Sequence, residues 1–309
     1  EPLLEGVIRR IPFLERAEIV SLVRHPGAYT PDSRPLLGPL PGVRGFWCAA
    51  GLSLNGYGGA GGMGKVLAEW IIEGEPSLDI FGFHAWRFGR YYSDPSYAAE
   101  RTREGVKYYY LLRYPNDENE WARPHRVSPV HNRLQELGAV FGEKNGWERV
   151  NYFQPGKAWK RMGAEQQEWR WTRPPYFERV GQEHAACRER VAIFDMSSFG
   201  KIDLRGPGAL PLLQRLTDNQ MDVPVGRAVY TQFLNTRGNV EGDVTITRLG
   251  SDYFRVVTGS NFIGNDLGYV RMSVRPGEPP VEIRDVTEEL ASIGLWGPKA
   301  REVLGAVSQ

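Results

Sequence analysis

Residues 230–249 read YTQFLNTRGNVEGDVTITRL, two strand-like segments close together in the chain. In the second, Val244 and Ile246 alternate with Thr245 and Thr247. That period of two marks a strand with one face buried and one wet. Working outward, AIFDMS (192–197), GKIDLRG (200–206) and YFRVVTG (253–259) read as further short strands. GPGALPLLQRLT (206–217) reads as a helix with Pro207 in its first turn, and YFERVGQEHAACRER (176–190) as another. Strands in close succession, with few helices between them, point to an α+β fold with an antiparallel sheet.

The chain has 309 residues, 41% apolar and 24% charged, with a formal net charge of +1. It is long enough for about two domains. A balanced charge gives no electrostatic case for nucleic acid or an anionic membrane. No apolar run approaches the ~20 residues of a membrane-spanning helix. Two cysteines, Cys48 and Cys187, make no disulfide framework. They fit a reducing compartment, the cytoplasm or a mitochondrial matrix. The opening residues are charged and contain proline, unlike a secretion signal.

Three regions are expected, at 1–80, 81–157 and 158–309. In the first, GVRGFWCAAGLSL (42–54) reads as a buried strand leaving a turn. MGKVLAEWIIEG (63–74) reads as an amphipathic helix, with Val66, Leu67, Trp70 and Ile71 at helical spacing and Gly74 as its stop. The second region is aromatic and punctuated by proline. Its periodic segments, 95–114 with Pro95 near the start and 128–141 with Gly138 as stop, predict helices in a connecting module.

Between strand and helix lies GLSLNGYGGAGGMGK (51–65), in which Gly56, Gly58 and Gly61 match G-x-G-x-x-G. A dinucleotide site of the usual kind needs a second parallel strand ending in an acid. The following EGEPSLDIFGFHAWRFGRYY is broken by proline and aromatic. Two readings remain: a tight strand–helix crossing, or a cradle whose helix N-terminus faces the flavin edge that becomes negative on reduction.

The stretch from Thr30 to Gly74 closely resembles the C-terminal part of the FAD domain in the amine-oxidising family that includes sarcosine oxidase and the sarcosine and dimethylglycine dehydrogenases. Its TPD turn (Thr30–Asp32), Pro35, Gly38, glycine-rich loop and L-A-x-W-I-x-x-G helix end (Leu67–Gly74) carry that likeness. The resemblance implies a glutathione-reductase-like FAD domain and flavin contacts at Leu52, Ser53, Leu54, Asn55, Gly56 and Tyr57. Gly58 stands where those oxidases hold a substrate carboxylate with lysine, so other groups must do so here or the substrate differs. FGFHAWRFGRYYSDP and GWERVNYFQPG resemble the segment that joins the FAD and folate domains of these dehydrogenases.

The later strands resemble the aminomethyltransferase (T-protein) of the glycine cleavage system. Phe194, Asp195, Ser197, Gly200, Lys201, Tyr230, Thr231, Leu234, Asn235, Gly238, Asp243, Val256, Val257 and Asp266 fall at its motif positions. This likeness implies a tetrahydrofolate site with Asp243 as the proton-handling carboxylate, and Tyr230 and Val257 as further folate contacts. The family's acidic pair becomes Gly242-Asp243, with Glu241 in reserve. The two resemblances together imply an interior piece of a multidomain, FAD-dependent enzyme. It would demethylate dimethylglycine or sarcosine and pass the one-carbon unit to tetrahydrofolate. A piece cut through both domains is not expected to act alone, and the sequence names no electron acceptor. The competing readings are a non-catalytic subunit resembling the regulatory protein of pyruvate dehydrogenase phosphatase, and a folate-dependent aminomethyltransferase. No metal is expected: His184 and Cys187 are only two potential ligands, and His125 and His131 flank a proline-containing turn. GLSLNG has the wrong spacing for a nucleophile elbow.

Overall fold

The structure, a computed structural model, describes residues 2–111, 118–154, 173 and 176–308. The chain runs through α1 (Pro2–Arg10), β1 (Leu36–Pro39), β2 (Trp47–Ala50), α2 (Gly56–Glu73), α3 (Pro95–Lys107), α4 (His131–Glu136), β3 (Ala139–Lys144) and β4 (Trp147–Phe153). It continues with α5 (Phe177–Glu189), β5 (Ala192–Asp195), β6 (Gly200–Arg205), α6 (Ala209–Leu216), β7 (Ala228–Leu234), β8 (Val240–Gly250) and β9 (Tyr253–Thr258). Last come α7 (Ile263–Met272), β10 (Glu282–Asp285), β11 (Ile293–Trp296) and α8 (Ala300–Val307).

The alternation in 228–258 becomes the centre of a five-stranded antiparallel sheet of order β10-β6-β9-β8-β7. Val244, Ile246, Phe233, Val256, Ile202 and Leu204 point to one face, where Leu212, Leu213 and Leu216 of α6 and Ile263 and Val270 of α7 close over them. Fully burying each such side chain stabilises by about 1.5–3 kcal/mol, which makes this face the main store of stability. The other face carries Tyr230, Asp243, Thr245, Arg255 and Val257 and stays polar. The α+β class with antiparallel pairing holds for the ladders between named strands, because β1–β2, β3–β4 and β5–β11 are antiparallel as well.

A second cluster, Leu37, Val66, Trp70, Ile80 and Trp86, ties α2 to β1 and reaches Met272 at the end of α7. Gly38, at φ +107°, lies under the Trp70 ring, where a Cβ would stand 2.5 Å from Trp70 Cζ3. Gly74 ends α2 in the left-handed conformation, its N–H donating to Trp70 O at 3.0 Å. Asp94 caps α3 by accepting from Ser96 N and Tyr97 N, with Pro95 at the first position.

Several local expectations need correction. α2 begins at Gly56, so the glycine run forms its first turns instead of a loop. Packing of Val66 and Trp70 offsets the poor helix propensity of glycine, and Ile71, expected on the inner stripe, is 52% exposed. β2 is only partly covered, with Ala49 and Ala50 exposed. The helix expected over 128–141 stops at Glu136, since Gly138 at φ +83° turns the chain and Ala139–Phe141 join a hairpin. α3 ends at Lys107, and residues 112–114 of that expected helix lie outside the described residues. Pro207 precedes α6, which starts at Ala209. Among the described residues no helix is long and apolar enough to cross a membrane.

Candidate functional site

The glycine-rich crossing carries the first half of the site. After β2 the backbone passes through positive φ at Gly51, Ser53 and Leu54 and enters α2 at Asn55. Ser53 is buried and fixes this bend. Its N–H donates to Ala28 O at 2.9 Å, its hydroxyl donates to Gly51 O, and Thr30 N donates to that hydroxyl. Asn55 Nδ2 donates to Ser53 O, and Tyr109 Oη donates to Asn55 Oδ1 at 3.3 Å. Leu54 and Tyr57 are exposed, and a Cβ on Gly58, Gly61, Gly62 or Gly64 would meet nothing. An unobstructed helix start with free N–H groups therefore faces outward. Leu52–Tyr57, the expected flavin contacts, make up this bend and the first residues of α2.

The second half lies on the polar face of the sheet. Tyr230, Asp243 and Val257 stand on the three adjacent strands β7, β8 and β9. Tyr230 pairs with Thr245, which pairs in turn with Val257, and Asp243 sits diagonally across from Tyr230. The Asp243 carboxylate nearby raises the Tyr230 phenol above its ordinary value. The fold thus brings together all three folate candidates on one exposed face.

Glu241, Gly242, Asp243 and Asp266 also line a cavity of about 1090 Å³. Trp47, Trp70, Phe81, His84 and Trp86 line the same cavity. Glu241 accepts from Asn235 Nδ2 at 2.8 Å, and burial pushes its carboxyl up. Gly242 has no room for a side chain, since its Cβ would stand 2.8 Å from Asp266 Oδ1 and 3.1 Å from Phe233. Asp266 fills the place beneath it. Only 1% exposed and bonded from Thr258 Oγ1, it is pushed up to about 7 by burial, with Asp243 and Glu241 adding to the rise. His84, which also lines the cavity, is lowered to about 4 by burial, hence neutral at physiological pH.

The model of the GCVT N-terminal domain family matches residues 130–309, more than half of the chain. The chain belongs to that family. A model of the FAD dependent oxidoreductase central domain matches residues 73–128. Both matches on one chain are the fused architecture of an FAD oxidoreductase and a T-protein. Among curated relatives, 4-methylaminobutanoate oxidase (formaldehyde-forming) of Paenarthrobacter nicotinovorans is 39% identical across 98% of this chain and 36% of its own length. The pyruvate dehydrogenase phosphatase regulatory subunit of Mus musculus is 36% identical across 100% of this chain and 35% of its own. Sarcosine dehydrogenase of Homo sapiens is 32% identical across 98% of this chain and 37% of its own. The chain spans little more than a third of the length of these relatives.

Sequence reading missed two features of the site. Asp266 figured only as a motif position, and its burial under Gly242 comes from α7 packing. His84 gave no local signal, because its partner Asn265 lies 181 residues away.

Proposed function

We propose that this chain is the junction of an FAD-dependent oxidoreductase that acts on the CH–NH group of an N-methylated amino acid, such as dimethylglycine or sarcosine, and hands the one-carbon unit to tetrahydrofolate. The observation that carries the reading is that matches to an FAD oxidoreductase central domain and to a T-protein domain stand side by side on one chain. Bound FAD would supply the hydride acceptor, and tetrahydrofolate the nucleophile that takes up the carbon.

The chain's own residues then have separable tasks. The bend at Ser53 and Asn55 presents helix N–H groups to the flavin edge, where negative charge develops on reduction. Oxidation leaves positive charge on the substrate nitrogen, and Glu241 and Asp243 supply carboxylates on the folate wall. Asp243 would take or return a proton at a folate nitrogen, with the Tyr230 side chain beside it on the same face. The aromatic wall excludes water, which would otherwise hydrolyse the intermediate. Gly58 leaves the substrate carboxylate to other groups, so sarcosine, dimethylglycine and a longer N-methylamino acid belong in one substrate panel. The setting would be a reducing one, cytoplasm or mitochondrial matrix.

The test uses the full-length protein. Asp243→Ala is expected to leave flavin bleaching by the amine intact and to slow methylene-tetrahydrofolate formation by about 10²–10⁴-fold, the usual share of a general acid–base group. Undiminished folate product would remove Asp243 from its role. The likeness to a phosphatase regulatory subunit supports a second, non-catalytic reading, favoured if the intact protein holds no flavin.

A further inference from the structure

A second cavity, of about 1160 Å³, lies among residues 88–94 and 125–126, helix α7 and the segment from β10 to Glu289. Neither Asp243 nor the loop Leu52–Tyr57 lines it. Phe88, Ile263, Leu267 and Ile283 give it apolar surface. Four arginines and four acids line it as well, so net charge does not mark it out. Unmet donors do. Of the acids, Asp94 is held by the Ser96 and Tyr97 amides, Asp285 by the Thr287 amide and hydroxyl, and Glu289 by Arg284. The fourth, Glu288, is paired with Arg126.

Arg126 is the centre of this cavity's chemistry. Its side chain is 9% exposed, and its guanidinium lies against the rings of Tyr91 and Trp147, 4.6 and 4.3 Å from their centroids. Stacking of this kind leaves the edges of the group for hydrogen bonds. Nη1 donates to Asn145 O at 3.3 Å, and Nη2 meets one oxygen of Glu288 at 3.0 Å. Nε is buried and has no partner among the described residues. Nε and Nη2 share one edge of the guanidinium, a fork that matches the two oxygens of one acid group. Elsewhere in the molecule that fork is filled. Arg87 on Asp32, Arg123 on Glu148 and Arg255 on Asp203 each set Nε and Nη2 on the two oxygens of one carboxylate. Arg101 also leaves Nε bare, but its two terminal nitrogens hold the buried Glu104 and Glu143. Arg126 differs from all four. Half of its fork is empty, and the single carboxylate on the other half is 67% exposed. A buried donor without a partner is costly, and an exposed acid contributes little to holding it.

We propose that this cavity binds a small organic anion, whose carboxylate or phosphate group displaces Glu288 and fills the Nε–Nη2 fork of Arg126. Two further guanidiniums in the lining are available to it. Among the described residues the Arg90 side chain has no partner, and Arg271 reaches the Ile283 carbonyl at 3.5 Å, a long contact. Both are exposed, so they meet the anion first and Arg126 seats it. The apolar side chains receive the body of the ligand. Flavin and folate play no part in this site, so it can be tested whether or not the proposed function holds.

The test uses the full-length protein, titrated by calorimetry at low ionic strength with phenyl phosphate, with benzoate and with uncharged benzyl alcohol. At least one anion is expected to bind and the alcohol is not. The anion that binds more tightly tells a phosphate ligand from a carboxylate. Glu288→Ala opens the fork and is expected to tighten binding several-fold. Arg271→Gln is expected to weaken it several-fold. Arg126→Lys keeps the charge, loses the fork and is expected to abolish binding. Arg205→Gln alters an exposed arginine on β6 outside the cavity and should bind as the parent does. If Arg126→Lys does not fold, Glu288→Ala and Arg271→Gln decide. The proposal is overturned if neither anion binds, if the alcohol binds as well as the anions, if Glu288→Ala fails to tighten binding, or if Arg271→Gln weakens it no more than Arg205→Gln does.

Discussion

The sheet half and the α2 half of this chain use apolar residues in opposite ways. In the sheet, fourteen buried side chains from strands, two helices and the loop residue Met221 form one continuous core. Around α2 the buried cluster has five members, and the helix's first turns offer bare glycine outward. The first region owes its shape to its own packing. The second spends little on packing and leaves backbone accessible, which suits a surface that receives a ligand or another part of the protein. Burial therefore identifies the fold in one half and leaves glycine backbone open in the other.

The largest expected effect separates the two halves directly. Phe233→Ala empties a fully buried position in the sheet core and should cost about 3–5 kcal/mol, whereas Ile71→Ala on α2 should cost less than about 1 kcal/mol. Denaturant-dependent hydrogen exchange of the full-length protein reads both. Similar costs at the two sites would mean that α2 is packed as tightly as the sheet.

A smaller effect is a pH dependence built into the folate side. Asp266 is raised from 3.8 to about 7, so the folded state holds its proton more tightly than the unfolded state does. Its contribution to stability is complete below about pH 4, declines as pH rises towards 7, and stays lost above that. Asp266→Asn should flatten this decline, measured as unfolding midpoints across that range. An unchanged slope would show that Asp266 ionises freely.

The smallest concerns the open helix face. Gly58→Ala places a methyl where nothing lies within 4 Å, so helix propensity alone should stabilise α2 by about 0.5–1 kcal/mol. A loss of stability there would show that the glycine face is covered in the intact protein.

Much of the fold was readable locally. Alternation at Val244–Thr247 set the strand faces, Gly74 and Gly138 ended helices, and Pro95 marked the start of α3. The folate candidates Tyr230, Asp243 and Val257 share a face because strand periodicity fixes side-chain direction once register is known. What sequence reading missed is non-local or set by packing. The start of α2 at Gly56 contradicts propensity and depends on Val66 and Trp70 finding β1. The contacts of His84 with Asn265 and of Trp86 with Gly268 span about 180 residues, beyond the reach of any periodicity. Asp266 shows its unusual protonation only when α7 has carried it beneath Gly242.

The most direct measurement is the anaerobic visible spectrum of the full-length protein mixed with sarcosine, dimethylglycine or a longer N-methylamino acid, followed by tetrahydrofolate. Bleaching of a bound flavin by at least one amine, with methylene-tetrahydrofolate formed in proportion to flavin reduced, is the expected result. A protein without flavin, or a flavin that none of these amines bleaches, would contradict the proposed function.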